Sequence, residues 1–162
     1  MIVKKVLVAL AVFAAFGLSV QSQSPLPLPD LVGGLKAIPG CLGVDTARTA
    51  SGKMVIFAWF EDKKALLRWY NSDMHQQVMK LGGPPEPGRV PLAGIPDDSG
   101  PILAVASLTM ADPATSKGPL PVSQIAIELY QPLPGGVFVG GRFAPGSVKV
   151  PGMRDLTPPP GK

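Results

Sequence analysis

Cys41-Leu-Gly-Val-Asp-Thr-Ala-Arg48 runs through Ala50-Ser-Gly-Lys53 into Met54-Val-Ile-Phe-Ala-Trp-Phe60, and Lys63-Lys-Ala-Leu-Leu-Arg-Trp-Tyr70 follows closely. These runs read as strand, tight turn, strand and helix. The first strand alternates only loosely. The second is apolar on both faces, as expected of a covered central strand. The block from 40 to 81 also holds both tryptophans and the single histidine, in the order Trp59-x9-Trp69-x2-Ser72-x2-His75.

Outward from this block, proline and glycine divide the chain. Ser24-Pro-Leu-Pro-Leu-Pro29 is a stiff extended lead-in, because fixed backbone angles and missing donors exclude a helix interior or central strand. Gly82-Gly-Pro-Pro-Glu-Pro-Gly88 ends the helical region and opens a long connection, and residues 111–121 form another loop. Further strands are expected over 102–110 and 123–130. In the latter, Ile125, Ile127 and Leu129 share one face, with Gln124, Glu128 and Tyr130 on the other. Pro134-Gly-Gly136 then leads into 137–143, which reads as a hairpin partner for 123–130. The resulting organisation is a signal peptide at 1–22, a proline-rich lead-in at 23–39, an α+β domain at 40–144 and a proline- and glycine-rich tail at 145–162. That tail is expected to lie along the surface.

Leu67, Tyr70, Met74, Val78 and Leu81 recur at spacings of three and four, so a continuous helix would bury that stripe and send Trp69 to the far side. Asn71-Ser-Asp73 offers an escape, since these residue types favour helix starts over helix interiors. A break near Ser72, with Asp73 and Gln76 as a capping pair, lets Trp69 and His75 face a common space.

At the amino terminus a short basic segment ending in Lys4 and Lys5 precedes an apolar run over 6–20, which then turns polar at Gln21. The run is short for a bilayer span, and it fits the core of a cleaved signal peptide. Export to the periplasm or exterior is expected, without a stable membrane anchor. Loss of both lysines lowers the formal charge from +4 to +2. With no basic stripe carrying interleaved aromatics, a nucleic-acid partner is not expected. Cys41 is the only cysteine, which excludes an internal disulfide, and its apolar neighbours read it as a small core residue. One histidine and one cysteine cannot build a usual zinc site, so neither a metal nor another cofactor is expected.

The segment from 40 to 81 resembles the central part of the antibiotic biosynthesis monooxygenase family. The matching positions are Pro39, Gly40, Gly43, Trp59, Trp69, Ser72 and His75. The resemblance implies an α+β fold with an antiparallel sheet and one main helical region, related to the dimeric, ferredoxin-like α+β barrels. The version expected here is incomplete or rearranged. Family members open with a strand and a helix, for which residues 24–39 are too short. Residues 30–38 can supply a shortened helix capped by Asp30, and a later strand, 102–110 or 123–130, can fill the missing place. Related heme-degrading enzymes place their iron-binding histidine ten residues after the helix tryptophan. Met79 stands there in this chain, so heme ligation is not expected.

Two functions remain open at this level. One is an exported, homodimeric binding or structural domain without catalysis. The other is a cofactor-independent monooxygenase acting on a small aromatic phenol or quinol. In the second, His75 is the base, Trp69 shapes the catalytic site and Asn71 donates to a developing oxyanion. Trp59 and Tyr70 supply aromatic surface for the ligand. Aromatic residues on a strand and a helix are more often core, which favours the first function.

Overall fold

A computed structural model describes residues 29–81, 87–88, 90–112, 114 and 122–160. The expected signal peptide and most of the lead-in lie outside them, as do much of the two loops at 82–88 and 111–121. Among the described residues no helix is long and apolar enough to cross a membrane.

Helix α1 (Leu31–Lys36) starts where expected, with Asp30 accepting a bond from the Gly33 amide at 2.8 Å. The Pro39-Gly40 turn follows. Gly40 takes φ +84°, a conformation glycine enters without a Cβ penalty, and its carbonyl accepts from the Glu61 amide at 2.8 Å. Strands β1 (Cys41–Arg48) and β2 (Met54–Phe60) form an antiparallel hairpin. Strand β3 (Ile102–Met110) pairs antiparallel with β2, and β4 (Val122–Tyr130) with β3. The order β1-β2-β3-β4 makes a four-stranded antiparallel sheet, so the α+β class holds. It is rearranged as anticipated: among the described residues no strand precedes α1, and 102–110 occupies the place beside β2.

One face of the sheet carries the helices α1, α2 (Lys63–Tyr70) and α3 (Asp73–Leu81). The core forms there from Leu35, Ile56, Ala58, Phe60, Ala65, Leu66, Ile102 and Leu108. Strand pleating sends alternate residues of β2 to the opposite face, where Val55 and Trp59 are also buried. Both faces of β2 are therefore covered, as its composition requires.

One expectation about the carboxyl end needs correction. Residues 137–143 do not return to β4. Pro132 and Pro134 offer no amide, and Gly135 and Gly136 both adopt φ +103°, so the chain turns away from the sheet. Only Val137–Phe138 (β5) is extended in a ladder, and it pairs in parallel with Arg154–Asp155 (β6). The segment after 145 runs mostly along the surface, as expected, but it is anchored to the sheet. Val148 is 1% exposed, and Phe143 meets Phe57 edge-on with ring centroids 4.9 Å apart. A Cβ on Gly43 would sit 2.7 Å from the Pro145 ring, so glycine lets this segment close on the sheet. Arg142 holds its curve together by donating to the carbonyls of Pro145, Gly146 and Val148 at 2.6 to 3.0 Å.

Candidate functional site

The site begins with the end of α2. Asp62 caps its start, accepting from the Ala65 amide at 2.7 Å, and the helix stops at Tyr70. A helix end leaves its last carbonyls without helical partners. Here the Asn71 amide takes the Leu67 carbonyl, and the Ser72 amide takes that of Trp69, each at 3.0 Å. The Tyr70 carbonyl accepts from His75 Nδ1 at 2.9 Å and from Gln76 Nε2 at 2.6 Å. The cap of α3 lies one residue earlier than expected. Ser72, rather than Asp73, accepts from the His75 amide at 3.3 Å, and its carbonyl takes the Gln76 amide. The anticipated break therefore occurs, with serine at its pivot.

Because of the break, Trp69 and His75 come together, with ring centroids 5.4 Å apart at 62°. The Tyr70 ring also packs against the imidazole, 5.0 Å away and tilted by 43°. Trp69 and His75 line two adjoining spaces. The larger, about 360 Å³, lies between α2–α3 and β3–β4 and is walled by Leu66, Tyr70, Met79, Leu92, Ala104 and Leu129, among others. The smaller, about 90 Å³, reaches inward over Ala104 and Ala106 towards Leu35 and Ile56. Two alanines in the middle of β3 leave this room; longer side chains would fill it.

A carbonyl oxygen can only accept, so the Nδ1 of His75 must carry the proton. The neutral ring then presents Nε2 as a lone pair, and among the described residues that nitrogen has no hydrogen-bond partner. Burial lowers the imidazole pKa from its ordinary 6.5, partly offset by the bond to Tyr70. Both effects have a clear physical origin: an apolar wall disfavours charge, and an accepting carbonyl favours the protonated donor.

The other residues singled out in the sequence lie elsewhere. Asn71 caps the exposed end of α2 and does not line either space, so the oxyanion role assigned to it has no support from its placement. Trp59 is on the opposite face, 7% exposed, in the wall of a separate, more open cleft of about 730 Å³ beneath the carboxyl-terminal segment. The pleat explains the separation, since Ala58 and Phe60 take the helix side. Its Nε1 is buried without a hydrogen-bond partner among the described residues. Cys41 packs half-buried against the core, where burial raises its thiol pKa. Sequence reasoning missed Leu66, Leu92, Ala104 and Met79 as lining residues; small side chains at alternate positions of 102–110 were the available signal.

The model of the antibiotic biosynthesis monooxygenase family matches residues 27–81, about a third of the chain. The match extends the resemblance across α1, and it ends with α3. No curated protein and no solved structure matches the chain. The matched segment contains α1, β1, β2, α2 and α3, and so contributes Trp69, Tyr70 and His75 to the cleft. The walls from β3 and β4 come from outside it.

Proposed function

We propose that this protein binds a small, planar aromatic molecule carrying a hydroxyl group in the cleft between α2–α3 and β3–β4. The observation that carries the reading is the held tautomer of His75, whose ring packs against those of Trp69 and Tyr70 and whose acceptor nitrogen has no partner among the described residues. A phenolic hydroxyl donates to such a nitrogen, and the aromatic and aliphatic walls cover the ring. Size agrees: about 360 Å³ falls within the usual range for small-molecule sites. The inner space of about 90 Å³ is smaller than the roughly 150 Å³ that admits benzene, so the ring belongs in the outer cleft.

A second reading, catalysis, draws on the same lone pair and on the family match. A neutral imidazole can take the proton of a bound quinol, and the resulting anion is electron-rich enough to reduce oxygen directly. The balanced outcome is one quinol and one dioxygen giving one hydroxyquinone and one water. Among the described residues no charged donor lines the cleft to hold a developing oxyanion, so binding is the reading we put first. As expected from the sequence, we also propose export after removal of residues 1–22, and assembly as a homodimer. The basic and apolar opening segment supports the first, and the family resemblance supports the second. The amino-terminal sequence of protein recovered from cell fractions tests export.

Trp59→Phe leaves Trp69 as the only tryptophan, so its emission reports on the cleft alone. Titration of that variant with phenols and quinols is expected to give saturable quenching, weakened at least about tenfold by His75→Phe. Absence of saturable quenching across the panel overturns the binding reading. Oxygen uptake matching quinol consumption one for one, and lost in His75→Phe, would move the protein from the first reading to the second.

A further inference from the structure

The helix side of the sheet is hollow at its centre. Cross-strand neighbours there run in rows: Ala58 lies beside Ala104 and Ala104 beside Leu129, while the next row holds Ile56, Ala106 and Ile127. Ala58, Ala104 and Ala106 thus adjoin one another on β2 and β3, where strands ordinarily carry branched or aromatic side chains. Small residues let a helix approach a sheet closely, yet no described helix closes this gap. Ala104 and Ala106 stay only half-buried in the middle of the sheet, and about 90 Å³ remains open over them. Apart from Trp69 and His75, no described residue lining this space has a nitrogen or oxygen in its side chain. Water therefore finds few partners in it. Nor is the space sealed, since Ile125 and Ile127, on its β4 side, are 51% and 56% exposed. It adjoins the outer cleft, with Trp69, His75, Met79, Ala104 and Ile127 lining both. A ring seated in the cleft beside His75 lies against an apolar recess too small for a second ring.

We infer that the ligand of the cleft carries a short alkyl arm on its ring, that the arm fills this recess, and that Ala58, Ala104 and Ala106 make room for it. The ligand class is then an alkyl-substituted phenol or quinol rather than a bare one. The inference rests on the binding reading given above and adds the part of the ligand that His75 does not hold. Size sets the arm: at roughly 30 Å³ for each water-sized group, the recess of about 90 Å³ takes about three carbons. A longer chain emerges past Ile125 and Ile127 rather than being refused. Burial against aliphatic walls is worth about fourfold in affinity for each methylene that enters. A polar arm of the same size loses its hydration there and gains no partner.

The test extends the titration of the Trp59→Phe chain to phenol and its ethyl, propyl and hexyl derivatives, substituted ortho or para, with the hydroxyethyl analogue of propylphenol beside them. In one of the two series propylphenol should bind at least about tenfold more tightly than phenol, and hexylphenol no more than about threefold more tightly than propylphenol. The hydroxyethyl analogue should bind no better than phenol. Ala106→Leu places a larger side chain in the recess without touching the outer cleft. It should lower the propyl-to-phenol affinity ratio to about two or less, and Ala106→Val should give an intermediate ratio. Far-ultraviolet circular dichroism checks that both variants fold, and where the leucine variant does not, the valine variant carries the comparison. A ratio near one in the parent overturns the inference. So does a ratio that survives the substitutions, which would make the recess a dry void and place the arm elsewhere. Phenol binding with no gain from any arm sinks this inference alone; no binding by any compound sinks the binding reading with it.

Discussion

At the scale of single residues, the imidazole of His75 is held neutral by its surroundings, and this has a consequence for pH. Burial favours the uncharged ring, so below the ordinary value of 6.5 the folded chain binds fewer protons at this position than the unfolded chain. Stability from this group is therefore level above that pH, and declines as the pH falls from 6.5 towards the lower folded value. Urea unfolding followed between about pH 8 and about pH 5 should show that decline, and His75→Gln should reduce the slope. Ligand affinity should fall on the same side, because a protonated Nε2 no longer accepts. Trp59 offers a different test. Its indole N–H is buried without a partner among the described residues, which costs about 1–3 kcal/mol, while its ring fills space beneath residues 138–153. Trp59→Phe removes the orphan donor and keeps most of the ring. We expect it to lie within about 1 kcal/mol of the parent, against a loss of about 3–5 kcal/mol for Trp59→Ala. Denaturant midpoints at constant slope distinguish the two.

The decisive element is the interruption between α2 and α3. One continuous helix would set Trp69 and His75 roughly a third of a turn apart around its axis; two helices bring their rings into contact. Ser72 holds the second helix start, and Tyr70 lends its carbonyl to His75 and Gln76 across the break. Ser72→Ala removes the side-chain cap and should cost about 1 kcal/mol. Asp73→Ala, which touches no cap hydrogen bond, should cost less. Thermal unfolding measures both, and phenol quenching of Trp69 should weaken in the serine variant alone, because only there is the orientation of His75 loosened.

For the whole molecule, the sheet has an asymmetric outer face. Residues after 136 bend back over β1 and β2, cover Trp59 and bury Val148, while the β4 side stays open. Val148→Ala should destabilise the chain by roughly 2 kcal/mol, from lost burial and the cavity left behind. Deletion of 137–162 in a Trp69→Phe background should shift the emission of Trp59 to longer wavelength while the far-ultraviolet signature of the sheet and helices persists. An unshifted spectrum would mean that Trp59 is shielded by something other than this segment.

Much of this architecture could be read from local chemistry. The strands 54–60 and 102–110 are short apolar runs bounded by turn residues, so they form where those runs lie. Asp30 caps a short helix because its carboxylate reaches an amide three residues on, and the unfavourable helix residues at 71–73 mark a true break. Those are properties of a few neighbouring residues. The tertiary structure decided what depends on contacts distant in sequence. Trp59 and Trp69, close in the chain, are parted by the pleat of β2, and Asn71 faces solvent. Val137 to Phe143 abandons β4 because the glycines before it turn the backbone and Phe57 and Gly43 receive it on the other face. Ala104 and Ala106 become a cavity floor only once α3 lies above them. Local propensity determines which elements form; which surfaces they share is set by packing between residues that the sequence keeps far apart.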